Sequence, residues 1–190
     1  GKYEGSMRFY ADAIHAFAQK LNLKNVTLMG HSMGGQISMT SALAYPEMFK
    51  ELVLVAPAGF ETFHAGQRDW FRNVLSPRAV ALTSVDQIKT NIGANFYHMP
   101  KDAEIEVDKR VAMRKCADFS GYCYIIPQCV QGMVDDPVFD YLPNLQARTL
   151  VIFGAQDNLI PNPYLNGGKT ADVAQQGADR IPDATLHVIN

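Results

Sequence analysis

The eleven residues Val26 to Gln36, V-T-L-M-G-H-S-M-G-G-Q, constrain this chain more than any others. The short apolar run Val26–Met29 reads as a buried parallel strand. It leads directly into Gly30-His31-Ser32-Met33-Gly34, which fits G-x-S-x-G, and Gln36–Tyr45 then reads as a helix. A strand, a sharp turn with serine at its tip and a helix together hold a serine hydroxyl clear of a sheet. At a helix N-terminus, backbone N–H groups and the helix dipole favour developing negative charge. Such a tight turn is expected to strain the Ser32 backbone and to require glycine at Gly30 and Gly34, where side chains would strike the neighbouring strand and helix. The alternative is a glycine-rich turn that happens to contain a serine; the flanking strand and helix favour a nucleophile.

The remaining elements follow from periodicity. Ser6 is placed to cap a helix in which Met7, Tyr10, Ile14, Phe17 and Leu21 recur at helical spacing. Leu52–Ala56 is a second buried strand, so strand, helix and strand make a βαβ unit with a parallel sheet. From Gly59 to Leu145 strand patterning stops. Helices are expected near Gln67–Leu75, from Ser84 with Gln87 completing a capping box, over Asp102–Ala117, and over Phe119–Val134 with an interruption at Pro127. This stretch is rich in aromatics and methionines, among them Phe60, Trp70, Phe96, Tyr122 and Met133. Most are expected to form its own small core and some to face Ser32 as an apolar pocket. Thr149–Gly154 and Ala184–Ile189 read as two more strands, with a helix between them. Asp157 lies just past the C-terminal end of the third strand, on the edge where parallel sheets place their sites. Its alternative is a turn aspartate bonded to local backbone.

At 190 residues, 47% hydrophobic and 19% charged, the chain suits one domain with a substantial core. A net charge of −2 without a Lys/Arg block gives nucleic acid or an anionic membrane no electrostatic footprint. No apolar run reaches membrane-spanning length. Cys116, Cys123 and Cys129 match no zinc spacing and read as buried small hydrophobes. No metal or organic cofactor is implied, and the expected partner is a small-molecule substrate.

On these residues the chain resembles the α/β-hydrolase family. The likeness rests on the elbow Gly30–Gly35, the helical stretch opening at Ala56-Pro57-Ala58-Gly59, and the spacing of Gly154, Asp157 and Pro161 after a strand. It implies a partial α/β-hydrolase fold: a parallel sheet of about four strands with helices on both faces, residues 1–58 and 146–190 as core, and 59–145 as an inserted helical cap. It further implies Ser32 as nucleophile, the Met33 backbone N–H as an oxyanion donor and Asp157 as the triad acid. An ester-like, fairly apolar substrate would then be cleaved through an acyl-enzyme. Carbon–carbon bond hydrolases and haloperoxidase-like members share these motifs, and a non-enzymatic binding domain remains a third reading.

The family's catalytic histidine follows its last strand. Here His187 lies inside that strand, and the expected histidine falls about four residues beyond Asn190. His31 is poorly placed to serve its neighbour Ser32, His15 lies on the first helix, and His64 and His98 are in the cap region. The strands and oxyanion loop that the family places before the first helix also have no counterpart. The chain therefore reads as an internal piece of a hydrolase, with Val26–Met29 at an exposed sheet edge, and by itself is expected to be poorly stable and inactive.

Overall fold

The structure, a computed structural model, describes residues 5–190; the polar start over residues 1–4 lies outside them. Four strands, β1 (Val26–His31), β2 (Phe49–Val55), β3 (Arg148–Gly154) and β4 (Ala184–Ile189), form one parallel sheet in the order β1-β2-β3-β4, flanked by helices. The strands expected from the sequence are all present, β1 and β2 extending further than the apolar runs alone suggest. Register pairs His31 with Val55 and Val55 with Ile152, so the C-terminal ends of β1, β2 and β3 are level.

Helix α1 (Met7–Lys20) starts where expected, with the Ser6 hydroxyl accepting from Phe9 N–H at 3.1 Å. Its buried stripe is rotated from the expected one. Met7, Ala11 and Ala18 are buried with Ile14 half-buried, while Phe17 and Leu21 face outward. The small alanines let α1 approach α2 (Met33–Ala44), itself rich in small residues, and that contact overrides the preference for burying Phe17. Helix α2 packs on β1 and β2, and α8 (Thr170–Asp179) on β3 and β4.

Burial along the strands is one-sided. Leu52, Leu54, Val151 and Phe153 are fully buried in the main core, with Val26, Leu28, Ala184 and Leu186 packed against it. Val53, Val55, Leu150 and Ile152, which alternate with them, are half-buried. At the N-terminal end of the sheet Glu51 joins three strands, accepting from the Thr27 hydroxyl on β1 and the Arg148 guanidinium on β3.

Between β2 and β3 lie five helices: α3 (Ala65–Val74), α4 (Pro77–Leu82), α5 (Val85–Gly93), α6 (Glu104–Met113) and α7 (Phe119–Asp135). Several expectations change here. Ser84 caps α5 through Gln87 N–H, but the Gln87 amide turns to Asn91; the reciprocal capping box forms instead at His64 and Gln67 on α3. Helix α7 runs unbroken through Pro127, which is buried: packing around the ring offsets the missing N–H. Cys123 and Cys129 are buried in α7, whereas Cys116, in the turn before it, is exposed. Phe60, Val138, Leu142 and Leu145 join the main core although they fall within 59–145.

Candidate active site

Ser32 sits at the junction of β1 and α2 with φ 53° and ψ −124°, a region that L residues avoid, costing about 1–3 kcal/mol. The surrounding bonds hold it there. Ser32 N–H donates to the Val55 carbonyl at 3.0 Å, and the Ser32 carbonyl accepts from Gly35 N–H and Ala58 N–H, each at 2.9 Å. The turn is thus pinned to the exit of β2. The glycine requirement differs from the expected one. A Cβ at Gly30 would strike the Gly34 carbonyl, and one at Gly35 would lie 2.6 Å from Pro57 Cβ, but Gly34 itself faces open space. The close approach is therefore made by Gly30 and Gly35, because α2 crosses over the β2 exit at Gly35.

The Ser32 hydroxyl makes no capping bond and is half-exposed. Met33 opens α2, and among the described residues its N–H donates to nothing, as the first N–H groups of a helix do when no side chain caps them. One turn on, buried Gln36 donates to the Met133 carbonyl at 3.0 Å and to the Asp136 carbonyl at 2.8 Å. The helix bearing Ser32 is so tied to the end of α7. Two acceptors demand the amide's two N–H groups, which leaves Gln36 Oε1 buried without a donor.

Asp157 lies three residues beyond β3, on the same edge of the sheet as Ser32, with β2 between their strands. Two strand spacings set β1 and β3 roughly 10 Å apart. Asp157 Oδ1 accepts from Leu159 N–H at 2.8 Å and Ile160 N–H at 3.0 Å, so the turn role is real; Oδ2 is unengaged among the described residues.

The alpha/beta hydrolase fold model matches residues 2–189. The chain belongs to the α/β-hydrolase fold family. It superposes over its whole length on a probable hydrolytic enzyme from Pseudomonas aeruginosa PAO1, with a TM-score of 0.83 and 26% identity, and spans 64% of that protein. A candidate carbamate hydrolase of Rhizobium rhizogenes is 24% identical over 186 residues, 98% of this chain and 69% of that protein. A probable 1-acylglycerol-3-phosphate O-acyltransferase of rice (Oryza sativa subsp. japonica) is 38% identical over 66 residues, 34% of this chain and 16% of the rice protein.

Three of the five histidines in this fold contact another side chain or cap a helix, and two lie exposed on strands. His15 stacks on Tyr45 at 3.7 Å, His64 caps α3, His98 meets the Tyr97 ring edge-on, and His31 and His187 are exposed on β1 and β4. Among the described residues no group of three or more His, Cys, Asp or Glu could hold a metal ion, and no helix is long and apolar enough to cross a membrane.

Two polar residues that sequence reasoning passed over bind the loop following Asp157. Glu61 Oε1 accepts from Asn162 N–H and from Asn166 Nδ2, each at 2.7 Å. Burial raises its carboxyl above the ordinary value; these two donors oppose the rise and the charge of Asp157 adds to it. Buried Gln67 donates to the Leu165 carbonyl at 2.7 Å and to Asn166 Oδ1 at 2.8 Å. Sequence carries no signal for this clasp, since its partners are about a hundred residues apart. The chain also has an apolar cavity of about 330 Å³, but its lining lies on α3 to α7 and includes neither Ser32 nor Asp157.

Proposed function

We propose that the protein bearing this chain is a serine hydrolase that forms an acyl-enzyme on Ser32 from an ester-like, fairly apolar small molecule, with residues 59–145 as its cap. The observation that carries the reading is the Ser32 backbone, held at φ 53° with its hydroxyl making no capping bond, beside a Met33 N–H that has no acceptor among the described residues. In this reading Ser32 Oγ loses its proton to a histidine and attacks the substrate carbonyl. Met33 N–H donates a hydrogen bond to the developing oxyanion; one such donor contributes about 10²–10³ in rate. The histidine returns the proton to the leaving alcohol, and water then releases the acid by the same route. Asp157 orients the histidine and stabilises the imidazolium through Oδ2 while Oδ1 keeps the turn. In this reading the base is a histidine, and a backbone N–H outside α2 supplies the second oxyanion donor, as in other serine hydrolases of the family. The route needs neither metal nor organic cofactor.

Acyl transfer to an alcohol is a second reading, supported by the likeness of 66 residues of this chain to the rice acyltransferase. An acyl-enzyme partitions between water and any alcohol held nearby, so the same serine serves both. Fluorophosphonate labelling with peptide mapping tests the shared step: label on the Ser32 peptide, absent in Ser32→Ala, is expected. A protein with its flanking residues intact that takes no label at Ser32 sinks both readings. Turnover of p-nitrophenyl esters of graded chain length, compared with a vinylogous diketone acid and with an added glycerol-type acceptor, separates ester hydrolysis, carbon–carbon cleavage and acyl transfer.

A further inference from the structure

The cavity among the helices between β2 and β3 combines apolar walls with two arginines that have no acidic partner among the described residues. Val80 from α4, Ile88 and Ile92 from α5, and Ile126 from α7 supply aliphatic wall. Phe119 and Tyr122, one turn apart on α7, supply two near-parallel rings with centroids 6.1 Å apart. Arg110, in the last turn of α6, places its guanidinium carbon 4.5 Å from the Tyr122 ring centroid, and Arg114 at the α6 C-cap lines the same space. Among the described residues neither arginine forms an ion pair: nearby Glu106 is taken by Lys109 at 2.8 Å.

The negative end of the α6 dipole favours a cation here. A side chain facing water would meet that preference equally well, yet Arg110 is half-buried beside apolar surface. Burial draws its pKa down, opposed only by the Cys123 thiol. A cation stacked on an aromatic ring and facing an apolar cavity without a carboxylate is short of one anion. Guanidinium geometry matches a carboxylate in two parallel hydrogen bonds, and the walls match a saturated chain. At about 30 Å³ per water-sized group, about 330 Å³ takes on the order of eleven non-hydrogen atoms.

We propose that this cavity binds a medium-chain carboxylate, its head on Arg110 with Arg114 beside it and its tail among Val80, Ile88, Ile92 and Ile126. The site is separate from Ser32, and the inference does not rest on the reading of that residue as a nucleophile. An acid taken up from solution and one released by the protein's own hydrolysis have the same chemistry.

Titration calorimetry with decanoate tests it, with decanol as the uncharged equivalent and acetate as the tail-less one. Decanoate is expected to bind in the micromolar range, with decanol and acetate each at least about tenfold weaker. Arg110→Gln should weaken decanoate by about tenfold or more at unchanged melting temperature. Ser32→Ala should leave it unaltered, and adding decanoate to that variant isolates uptake from solution. A photoreactive decanoate on the unmodified protein should cross-link within α5 and the first two turns of α7, which decides the matter even if Arg110→Gln fails to fold. Equal affinity for decanol, undiminished binding by folded Arg110→Gln, loss of binding in Ser32→Ala, or cross-links confined to other segments would each overturn the proposal.

Discussion

Ser32 and Asp157 each carry two burdens, one structural and one proposed as chemical, and substitution can separate them. Asp157→Asn retains an Oδ1 acceptor for Leu159 and Ile160, so its stability should stay near wild type while turnover of a reactive ester falls about 10³–10⁴-fold. Asp157→Ala should lose the same activity and also about 1–3 kcal/mol of stability in urea titration. An active Asp157→Asn would remove Asp157 from the triad. The glycines give a matching contrast. Gly30→Ala should cost about 1–3 kcal/mol, since its Cβ meets backbone that cannot move without breaking the turn. Gly34→Ala, facing open space in the first turn of α2, should be neutral or stabilising by up to about 1 kcal/mol. Equal urea midpoints for the two variants would contradict this account of the turn.

The loop after β3 is held to the exit of β2 by Glu61, whose burial sets a pH dependence. Its native carboxyl titrates above the ordinary 4.5, so the folded chain holds this proton more tightly than the unfolded one. The stability it contributes is full below 4.5 and is lost as pH rises through the raised native value. Glu61→Gln can keep the Oε1 acceptor for Asn162 and Asn166 without burying a charge. Its melting temperature should therefore exceed that of wild type at pH 8, with the gap closing by pH 4. A gap that widens toward acid would show that the ionised carboxylate is needed for the clasp. The elements themselves were unequally legible. Strands β1 to β4 were visible because each is a short apolar run bounded by turn residues. Helix α4 was missed although Ser76 caps it and Pro77 opens it, because its six residues are too few to show periodicity. His64, placed by sequence only in the cap region, caps α3, a role that depends on backbone angles rather than residue type.

Across the molecule the sheet has β1 at one edge, and Met29 on that strand is 72% exposed. An apolar residue on an open edge invites pairing with another copy, so the 190-residue chain should self-associate at high concentration. Met29→Lys should lower that tendency in sedimentation velocity without changing the far-ultraviolet circular dichroism. Unchanged association would shift attention to the half-buried face carrying Val53, Val55, Leu150 and Ile152. The aromatic residues between β2 and β3 also divide in a way composition does not reveal. Phe60 packs near Phe153 in the main core, with centroids 6.1 Å apart, whereas Phe119 and Tyr122 line the separate cavity.

The sequence alone determined the parallel sheet, the serine at a strand-to-helix turn and the acidic residue beyond a later strand. Each is encoded locally, in hydrophobic period, glycine placement and a few consecutive side chains. Tertiary structure decided which glycines make the close approach, which face of α1 is buried, how Glu61 and Gln67 bind the loop after Asp157, and where Arg110 and Tyr122 meet an apolar cavity. Those outcomes depend on distances between segments remote in sequence, set by packing that must fill space and satisfy buried polar groups over the whole chain at once.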